Sequence, residues 1–294
     1  MSRFRFRSRR SKRRENARDG NVPIKAIVPN LVTSMAACAG ITSITLSSEG
    51  RFQQALYALL IACVCDGMDG RVARLLKASS KLGAELDSLA DFVNFGVAPA
   101  MFMFFWLTGG PVHEGFSQET VRLVLGCSLF YALCDCFRLA RFNTMLEAPA
   151  IPYWKHFFTG VPAPGGCWMV LTPAILAIAL DAKGKFPLLQ DVLQHPALGC
   201  FMLLFVGLLM ASRLPTISLK AIHFKSRGQL RLFMAVALLT IALLISNVWL
   251  TLGIAGLIYL ATIPLSAMLF LKTKRRYEAV VEKHRNRITG GDAS

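Results

Sequence analysis

Four aspartates lie at helical spacings within an otherwise apolar stretch of this chain. Asp66 and Asp69 are three residues apart, and Asp87 and Asp91 are four residues apart. Residues at these spacings share one face of an α-helix, so each pair would present its carboxylates together. Hard divalent cations such as Mg²⁺ and Mn²⁺ prefer carboxylate oxygens to sulfur or nitrogen ligands. The spacing therefore predicts a metal site, with two ions bridged by shared aspartates and open positions for phosphate oxygens.

The cost of burying these charges leads to the same interpretation. An Asp or Arg at the centre of a membrane helix costs about 2.5 to 3.5 kcal/mol on translocon scales, and such residues usually line a cavity or a pathway. Without a bound cation, four like charges would face one another uncompensated. An acidic helix pair with no ligand is therefore the weaker alternative.

Two helices joined by a short polar turn would position these side chains. The first apolar run is LYALLIACVCDGMDGRVARLL, and the second begins at Gly83 and continues through FVNFGVAPAMFMFFWL. Gly70, Ala73 and Gly83 fall on the same helix faces as the aspartates. Their small size would let a ligand or a neighbouring backbone approach closely.

Together these positions resemble the signature of a known family. From Asp66 to Asp91 the chain matches DxxDGxxARx8GxxxDxxxD, the pattern of the CDP-alcohol phosphatidyltransferases, at all eight fixed positions. The resemblance implies that Asp66, Asp69 and Asp87 hold the metal ions. Asp91 would complete the ligands of the second ion or stand beside it, and it would also be the catalytic base. The residues that it assigns to the nucleotide and the CDP-lipid are Gly70, Ala73, Arg74 and Gly83. A homodimer is a further expectation from the family.

The start of the first apolar stretch, IVPNLVTS, has two interpretations. Pro29 suits the first turn of a helix, and Asn30 and Thr33 lie three residues apart on one face. The first interpretation is a capped helix entrance. The second follows from the resemblance, because family members often carry a similar Pro-Asn with a nearby Thr close to the bound nucleotide.

Two arginines lie near the end of the fourth apolar stretch, in CDCFRLARFN. Arg138 and Arg141 are three residues apart, and Asp135 lies one turn before them. Arginines at such a position can extend to the membrane interface without any further role. Alternatively, their guanidinium groups form a pocket for a phosphate or for the carboxylate of a serine substrate.

The sequence around the signature narrows the expected acceptor. The segments ELDSLADFVNFGVAPA, FRLARFN and SRLPTISLK are similar to family members that use L-serine. The resemblance implies transfer of the phosphatidyl group of CDP-diacylglycerol to the serine hydroxyl, with release of CMP. Another acceptor, such as glycerol 3-phosphate or inositol, is the alternative within the family. A transporter and a non-catalytic membrane scaffold are alternatives outside it.

Composition predicts an all-α polytopic membrane protein. Of its 294 residues, 54% are hydrophobic, and the mean hydropathy is +0.49. Apolar runs close to the ~20 residues that a bilayer core requires predict about eight transmembrane helices. These are residues 27–46, 54–76, 86–107, 120–143, 161–180, 196–214, 230–246 and 249–271. They form a transmembrane catalytic domain, residues 27–271, between two basic tails, residues 1–26 and 272–294.

Positive charge predicts the orientation in the membrane. The net charge is +16, of which residues 1–26 carry +8 and residues 272–294 carry +4. The expected partner of these tails is the anionic lipid surface rather than nucleic acid. The loops on the side of the aspartates are also basic, so the positive-inside rule puts both termini and the aspartates in the cytoplasm. The expected location is the bacterial inner membrane.

Overall fold

The computed structural model describes most of the apolar part of the chain. The described residues are 24–77, 80–110, 115–145, 157–181, 187–212, 215–217, 227–264 and 266. Apart from residues 24–26, the two predicted tails lie outside the described residues. The same holds for most of the SRLPTISLK segment.

The described residues form helices and one small pair of strands. The α-helices are α1 Ile24–Ser48, α2 Phe52–Leu75, α3 Lys81–Asp91, α4 Ala98–Leu107, α5 Gln118–Met145, α6 Ala163–Asp181, α7 Pro187–Gln194, α8 Pro196–Ala211, α9 Arg227–Ser246 and α10 Val248–Pro264. A π-helical turn, Phe92–Val97, joins α3 to α4. Strands β1 Phe157–Thr159 and β2 Pro215–Ile217 pair antiparallel, so the all-α prediction missed this short ribbon.

Each of the eight predicted spans has a helical counterpart, but the structure does not confirm eight crossings. Four segments are long and apolar enough to cross a membrane, namely Ile27–Ser48, Lys81–Leu107, Gln118–Thr144 and Ala163–Leu180. The pair α7 and α8, bent by 52°, would make a fifth. Helix α2 is 24 residues long, but two aspartates and two arginines near its end lower its hydropathy. The described parts of α9 and α10 give only short apolar runs, Arg231–Ser246 and Val248–Pro264.

Helix α1 packs along α2 and lies beside α3 and the π-helical turn. A tight turn at Gly50, where φ is 74°, reverses the chain between α1 and α2. The end of α2 and the start of α3 therefore meet α1 at the membrane face where α1 begins. This arrangement brings three separate parts of the sequence to one place.

The π-helical turn is fixed by a buried hydrogen bond from a neighbouring helix. The hydroxyl of Tyr131 on α5 donates to the carbonyl oxygen of Phe95 across 2.9 Å, and Tyr131 is fully buried. On the opposite side, Gly40 of α1 lies against the side chain of Asn94. The turn thus sits between α1 and α5, one turn beyond Asp91, and π-helical turns are frequent at functional sites.

Candidate active site

Three of the four aspartates form a compact group of carboxylates. Asp66 and Asp69 project from the end of α2, and Asp87 projects from α3. One carboxylate oxygen from each lies within 4.8 Å of the others. Asp69 is buried. The three possible ligand atoms are all oxygens, and they come from two helices. Such a set of ligands suits a hard divalent cation.

Within the described part of the chain, these carboxylates have no basic partner. The ion pairs found there join Arg51 to Glu49 and Arg138 to Asp135. Arg74, although it follows Asp69 by only five residues, donates through Nε to the carbonyl oxygen of Gly70 across 3.0 Å. The negative charge of the group is therefore left for a ligand to balance, which fits the predicted metal.

The orientation of Asp69 is set by α1 and by its own backbone. The buried hydroxyl of Thr33 lies 2.8 Å from Oδ2 of Asp69, to which it can donate, and 3.1 Å from the carbonyl oxygen of Pro29. The backbone N–H of Gly70 donates to Oδ1 of Asp69. Both oxygens of the carboxylate are thus held, and such support of a metal ligand usually strengthens metal binding.

A pocket of about 180 Å³ opens beside this group. The carboxylates of Asp69 and Asp87 line this pocket, together with small and polar residues of α1, α2 and α3. These other residues are Pro29, Asn30, Thr33, Gly70, Ala73, Ser80, Gly83 and Ala84. Five of the residues predicted to bind the CDP-lipid therefore line one cavity. Arg74 is not among them, and its side chain is exposed on the outside of α2.

Close contact between α1 and α3 requires a glycine at one wall of this pocket. A Cβ added to Gly83 would lie 2.8 Å from Oδ1 of Asn30. Ser80, the N-cap of α3, accepts a hydrogen bond from the N–H of Gly83 across 3.0 Å. The cap fixes where α3 begins, and the missing side chain lets Asn30 face the pocket.

Asp91 lies outside the group of three mutually close carboxylates, although its side chain is close to that of Asp66. It ends α3, and its Oδ1 is buried without a hydrogen-bond partner among the described residues. Its carboxyl interacts electrostatically with Asp66, Asp87 and Arg138. The group of mutually close carboxylates contains Asp66, Asp69 and Asp87 only. The predicted base and ligand roles of Asp91 both stay predictions.

Arg138 is held by a buried carboxylate that leaves part of its guanidinium available. Its Nε donates to Oδ1 of Asp135 across 3.2 Å, and Asp135 is fully buried. No other hydrogen bond of Arg138 occurs within the described ranges, so its two terminal nitrogens are open there. The backbone of Gly96 lies close to Oδ2 of Asp135, because a Cβ at Gly96 would be 2.8 Å away. Arg138 also lies close enough to Asp91 to interact with it electrostatically.

Arg141 has a different environment from Arg138. Its guanidinium donates to the carbonyl oxygens of Ala211, across 2.8 Å, and of Ser212, across 3.0 Å. These carbonyls end α8, where the backbone lacks helical partners and carries partial negative charge. This geometry gives Arg141 a structural contact with the end of α8, and its contact with phosphate or serine stays a prediction.

Two further buried polar residues belong to the same region. Asn94 is 1% exposed, and its side-chain nitrogen and oxygen have no partner in the described part of the chain. It lies three residues after Asp91, and the signal for it was a lone asparagine inside the run FVNFGVAP. Asn143, near the end of α5, donates to Oγ of Ser88 on α3 across 3.0 Å. Sequence reasoning assigned neither residue a role.

This fold and site define an integral membrane protein with a cluster of carboxylates beside a pocket in a bundle of apolar helices. Comparison with family models identifies it further. The model of the CDP-alcohol phosphatidyltransferases matches residues 26–194, and the model of CDP-alcohol phosphatidyltransferase 2 matches residues 230–264. The chain belongs to the CDP-alcohol phosphatidyltransferase family.

Several curated relatives carry the name CDP-diacylglycerol–serine O-phosphatidyltransferase. One from Mycobacterium leprae is 40% identical over 156 residues, which is 53% of this chain and 48% of the relative. One from Helicobacter pylori is 33% identical over 210 residues, 71% of this chain and 78% of the relative. One from Bacillus subtilis is 30% identical over 174 residues, 54% of this chain and 89% of the relative. The match thus spans about half the length of the mycobacterial relative.

Proposed function

We propose that this protein transfers the phosphatidyl group of CDP-diacylglycerol to the hydroxyl of L-serine and releases CMP. The observation that carries the proposal is the pocket in which Asp69 and Asp87 adjoin Asn30, Gly70 and Gly83. Several carboxylates that can hold cations lie beside a small polar cavity, and the cations would bind the diphosphate of a nucleotide placed in that cavity. The names of the relatives support serine as the acceptor.

Asp66, Asp69 and Asp87 would hold Mg²⁺ or Mn²⁺, with two ions per site and Asp91 beside them or completing the second ion's ligands. Their geometry supports this role, since the three carboxylates converge without a basic partner among the described residues. The ions would neutralise the diphosphate and stabilise the charge that develops on the leaving CMP.

The nucleotide would lie against the small residues of the pocket. Gly70 and Ala73 present little bulk on α2, and Gly83 presents none on α3. Asn30 offers an amide, and Thr33 acts by holding Asp69. Arg74 would contact phosphate from the outer side of α2 only after leaving the carbonyl of Gly70.

Asp91 would act as the general base. A serine hydroxyl has a pKa far above neutrality and needs an acceptor for its proton as it attacks. The hydroxyl oxygen forms a bond to the phosphorus of the phosphatidyl group while the bond from that phosphorus to the CMP oxygen breaks. The proton passes to Asp91, whose unpartnered Oδ1 supports this assignment.

Arg138 would bind the carboxylate of serine. Asp135 holds the guanidinium through Nε alone, so both terminal nitrogens can form the two parallel hydrogen bonds that a carboxylate accepts. Its electrostatic interaction with Asp91 supports a position close to the attacking hydroxyl. Arg141 is the less suitable candidate, because the end of α8 occupies its guanidinium.

The remaining assignments concern the whole protein. We place it in the bacterial inner membrane with eight crossings, residues 27–271 as the catalytic domain, and both termini and the site in the cytoplasm. The basic tails, residues 1–26 and 272–294, would contact anionic lipids. A homodimer is proposed from the family alone.

The experiment is CMP release by the purified protein in detergent, with CDP-diacylglycerol and either Mg²⁺ or Mn²⁺. L-serine, glycerol 3-phosphate and inositol are compared as acceptors. We expect release that requires serine and stops when EDTA removes the metal. Release with another acceptor would keep the site and overturn the serine assignment, and no release with any acceptor would overturn the enzyme assignment.

A further inference from the structure

A second, larger pocket lies at the opposite end of the helices from the aspartates. It has a volume of about 630 Å³, and its lining includes Arg51, Gln54, Gln190, Gln194, Trp106 and Trp249. Arg51 precedes α2 and Asp69 lies 18 residues further along it. At a helical rise of about 1.5 Å per residue, the two pockets are roughly 27 Å apart. The second pocket is therefore separate from the candidate active site.

The polar groups of this pocket are mostly hydrogen-bond donors. Arg51 is about half exposed and uses Nη1 for Glu49 across 3.0 Å, which leaves other guanidinium hydrogens for a ligand. The side chains of Gln54 and Gln194 each add an amide NH₂ donor, together with a carbonyl oxygen acceptor. The indole nitrogen of Trp106 is buried without a partner among the described residues, and its ring is held against Phe52 at 5.0 Å between centroids. Hydrogen-bond donors grouped around the guanidinium of Arg51 suit the oxygens of a phosphodiester.

An apolar groove lies beside this pocket. It has a volume of about 440 Å³ and lies between α2, α6 and α10, with Leu60, Trp168 and Leu171 in its walls. Trp249 lines both the groove and the polar pocket. Along α10 the groove extends from Trp249 to Tyr259, about 15 Å at the helical rise. A polar chamber therefore adjoins a long apolar one.

The character of the short helix α7 indicates that the polar pocket lies at the level of the lipid head groups. Gln190 and Gln194, one turn apart, line the pocket. Leu188 is 82% exposed and Val192 is 58% exposed. A short helix with a bare apolar face beside a polar site has the character of a helix that lies in the membrane interface. Tryptophans such as Trp106 and Trp249 are also enriched at that depth.

We propose that the pocket and the groove together bind one membrane phospholipid from the leaflet opposite the aspartates. Its phosphodiester would contact Arg51, the glutamines and the indole of Trp106, and one acyl chain would pass Trp249 into the groove. The CDP-lipid substrate does not meet this description, because its phosphates belong at the aspartates. Free phosphate would leave the groove unused, and an uncharged apolar molecule would leave the donors unused.

A lipid bound there would brace the elements that carry the active site. The inner end of the groove is lined by Cys63 and Phe95. Cys63 lies one turn before Asp66 on α2, and the carbonyl oxygen of Phe95 accepts the bond from Tyr131. An acyl chain between them would fill space that packing leaves open, and filled space stabilises a core. The bound lipid therefore raises the stability of the protein.

The test measures thermal unfolding of the detergent-purified protein with three probes, which are dioleoyl phosphatidylglycerol, dioleoylglycerol and inorganic phosphate. We expect a rise in Tm with the phospholipid and none with the other two. In Arg51→Gln, the phospholipid concentration that gives half of the Tm shift should rise about tenfold, as expected for loss of one charge-assisted contact. Arg122→Gln is the matched control, because Arg122 is an exposed arginine in the first turns of α5 and does not line the pocket.

Two further variants keep the test decisive. Gln194→Leu replaces Arg51→Gln if that variant does not fold, and Leu60→Trp should reduce the effect by filling the groove. An equal Tm shift with dioleoylglycerol, or an unchanged response in Arg51→Gln or Gln194→Leu, would overturn the proposal. Since Tm requires no catalysis, the result is independent of the proposed activity, and KM for CDP-diacylglycerol should stay unchanged in Arg51→Gln.

Discussion

The hydroxyl of Thr33 forms a 2.8 Å hydrogen bond with Oδ2 of Asp69, a residue 36 positions further along the chain. The bond joins α1 to the acidic end of α2. Helix α1 carries none of the aspartates, yet it holds one of them and lines the pocket beside it. The candidate site is therefore built from three helices, not from the two that bear the signature.

Replacing Thr33 by valine keeps the shape of the side chain and removes its hydroxyl. We expect the Mn²⁺ concentration for half-maximal CMP release to rise about 10-fold to 100-fold, as for other residues that support metal ligands. Thr33→Ser should restore it. Ser34→Ala is the control, because among the described residues the Ser34 hydroxyl bonds only the carbonyl oxygen of Asn30 in its own helix. A similar change in that control would mean that α1 itself had been disturbed.

Gly70→Ala tests whether a ligand occupies the pocket. An alanine Cβ at Gly70 meets no protein atom within 4 Å, and alanine favours the helix by about 1 kcal/mol over glycine. We expect unchanged or higher Tm and a several-fold loss of kcat/KM for CDP-diacylglycerol, because the methyl group enters the pocket. Gly67→Ala is the matched control, since its Cβ also meets nothing and Gly67 does not line the pocket. Equal activities of the two variants would contradict the assignment of the pocket.

Arg138→Ala should raise the KM for serine by about tenfold or more, since a charge-assisted pair with a carboxylate is lost. The KM for CDP-diacylglycerol should change little. Arg138→Lys should restore only part of the affinity, because lysine cannot form two parallel hydrogen bonds. An unchanged KM for serine would assign Arg138 to structure, together with Asp135.

Arg141→Ala is the contrasting variant. Removal of its guanidinium leaves the terminal carbonyls of α8 without their donors. We expect a loss of stability of about 1 to 3 kcal/mol, measured as a lower Tm, with an unchanged KM for serine. A raised KM at wild-type Tm would instead support the serine contact predicted from the sequence.

Asp91→Asn separates binding from chemistry. The amide keeps the size of the carboxyl and cannot accept the serine proton at neutral pH. We expect CDP-diacylglycerol to bind with nearly wild-type affinity while CMP release falls by about 10²-fold to 10⁴-fold, the usual contribution of a general base. Binding can be followed by the Tm shift that the CDP-lipid produces. Loss of binding in parallel with loss of release would refute the base assignment.

Much of the acidic site could be predicted because its geometry is local. Spacings of three and four residues place side chains on one helix face in any tertiary context. The convergence of Asp66, Asp69 and Asp87 follows from such spacing on two helices joined by a short turn. The eight helical segments could be predicted for the same reason, because an apolar run is a local property of consecutive residues.

Other features depend on partners that are distant in sequence. Arg138 and Arg141 lie one turn apart with the same chemistry, yet one pairs with Asp135 and the other caps α8, which ends 70 residues later. No local pattern distinguishes them. The β1–β2 ribbon and the burial of Asn94 against Gly40 likewise need elements that only folding brings together.

The sequence by itself determined the family, the helical membrane architecture and the residues that carry charge into the apolar region. Only the tertiary structure decided which of those charges face one another, which are already paired, and that α1 holds Asp69. The physical reason is that helix periodicity and hydropathy act between near neighbours. Hydrogen bonds and close packing act between surfaces, and the surfaces meet only once the helices have assembled.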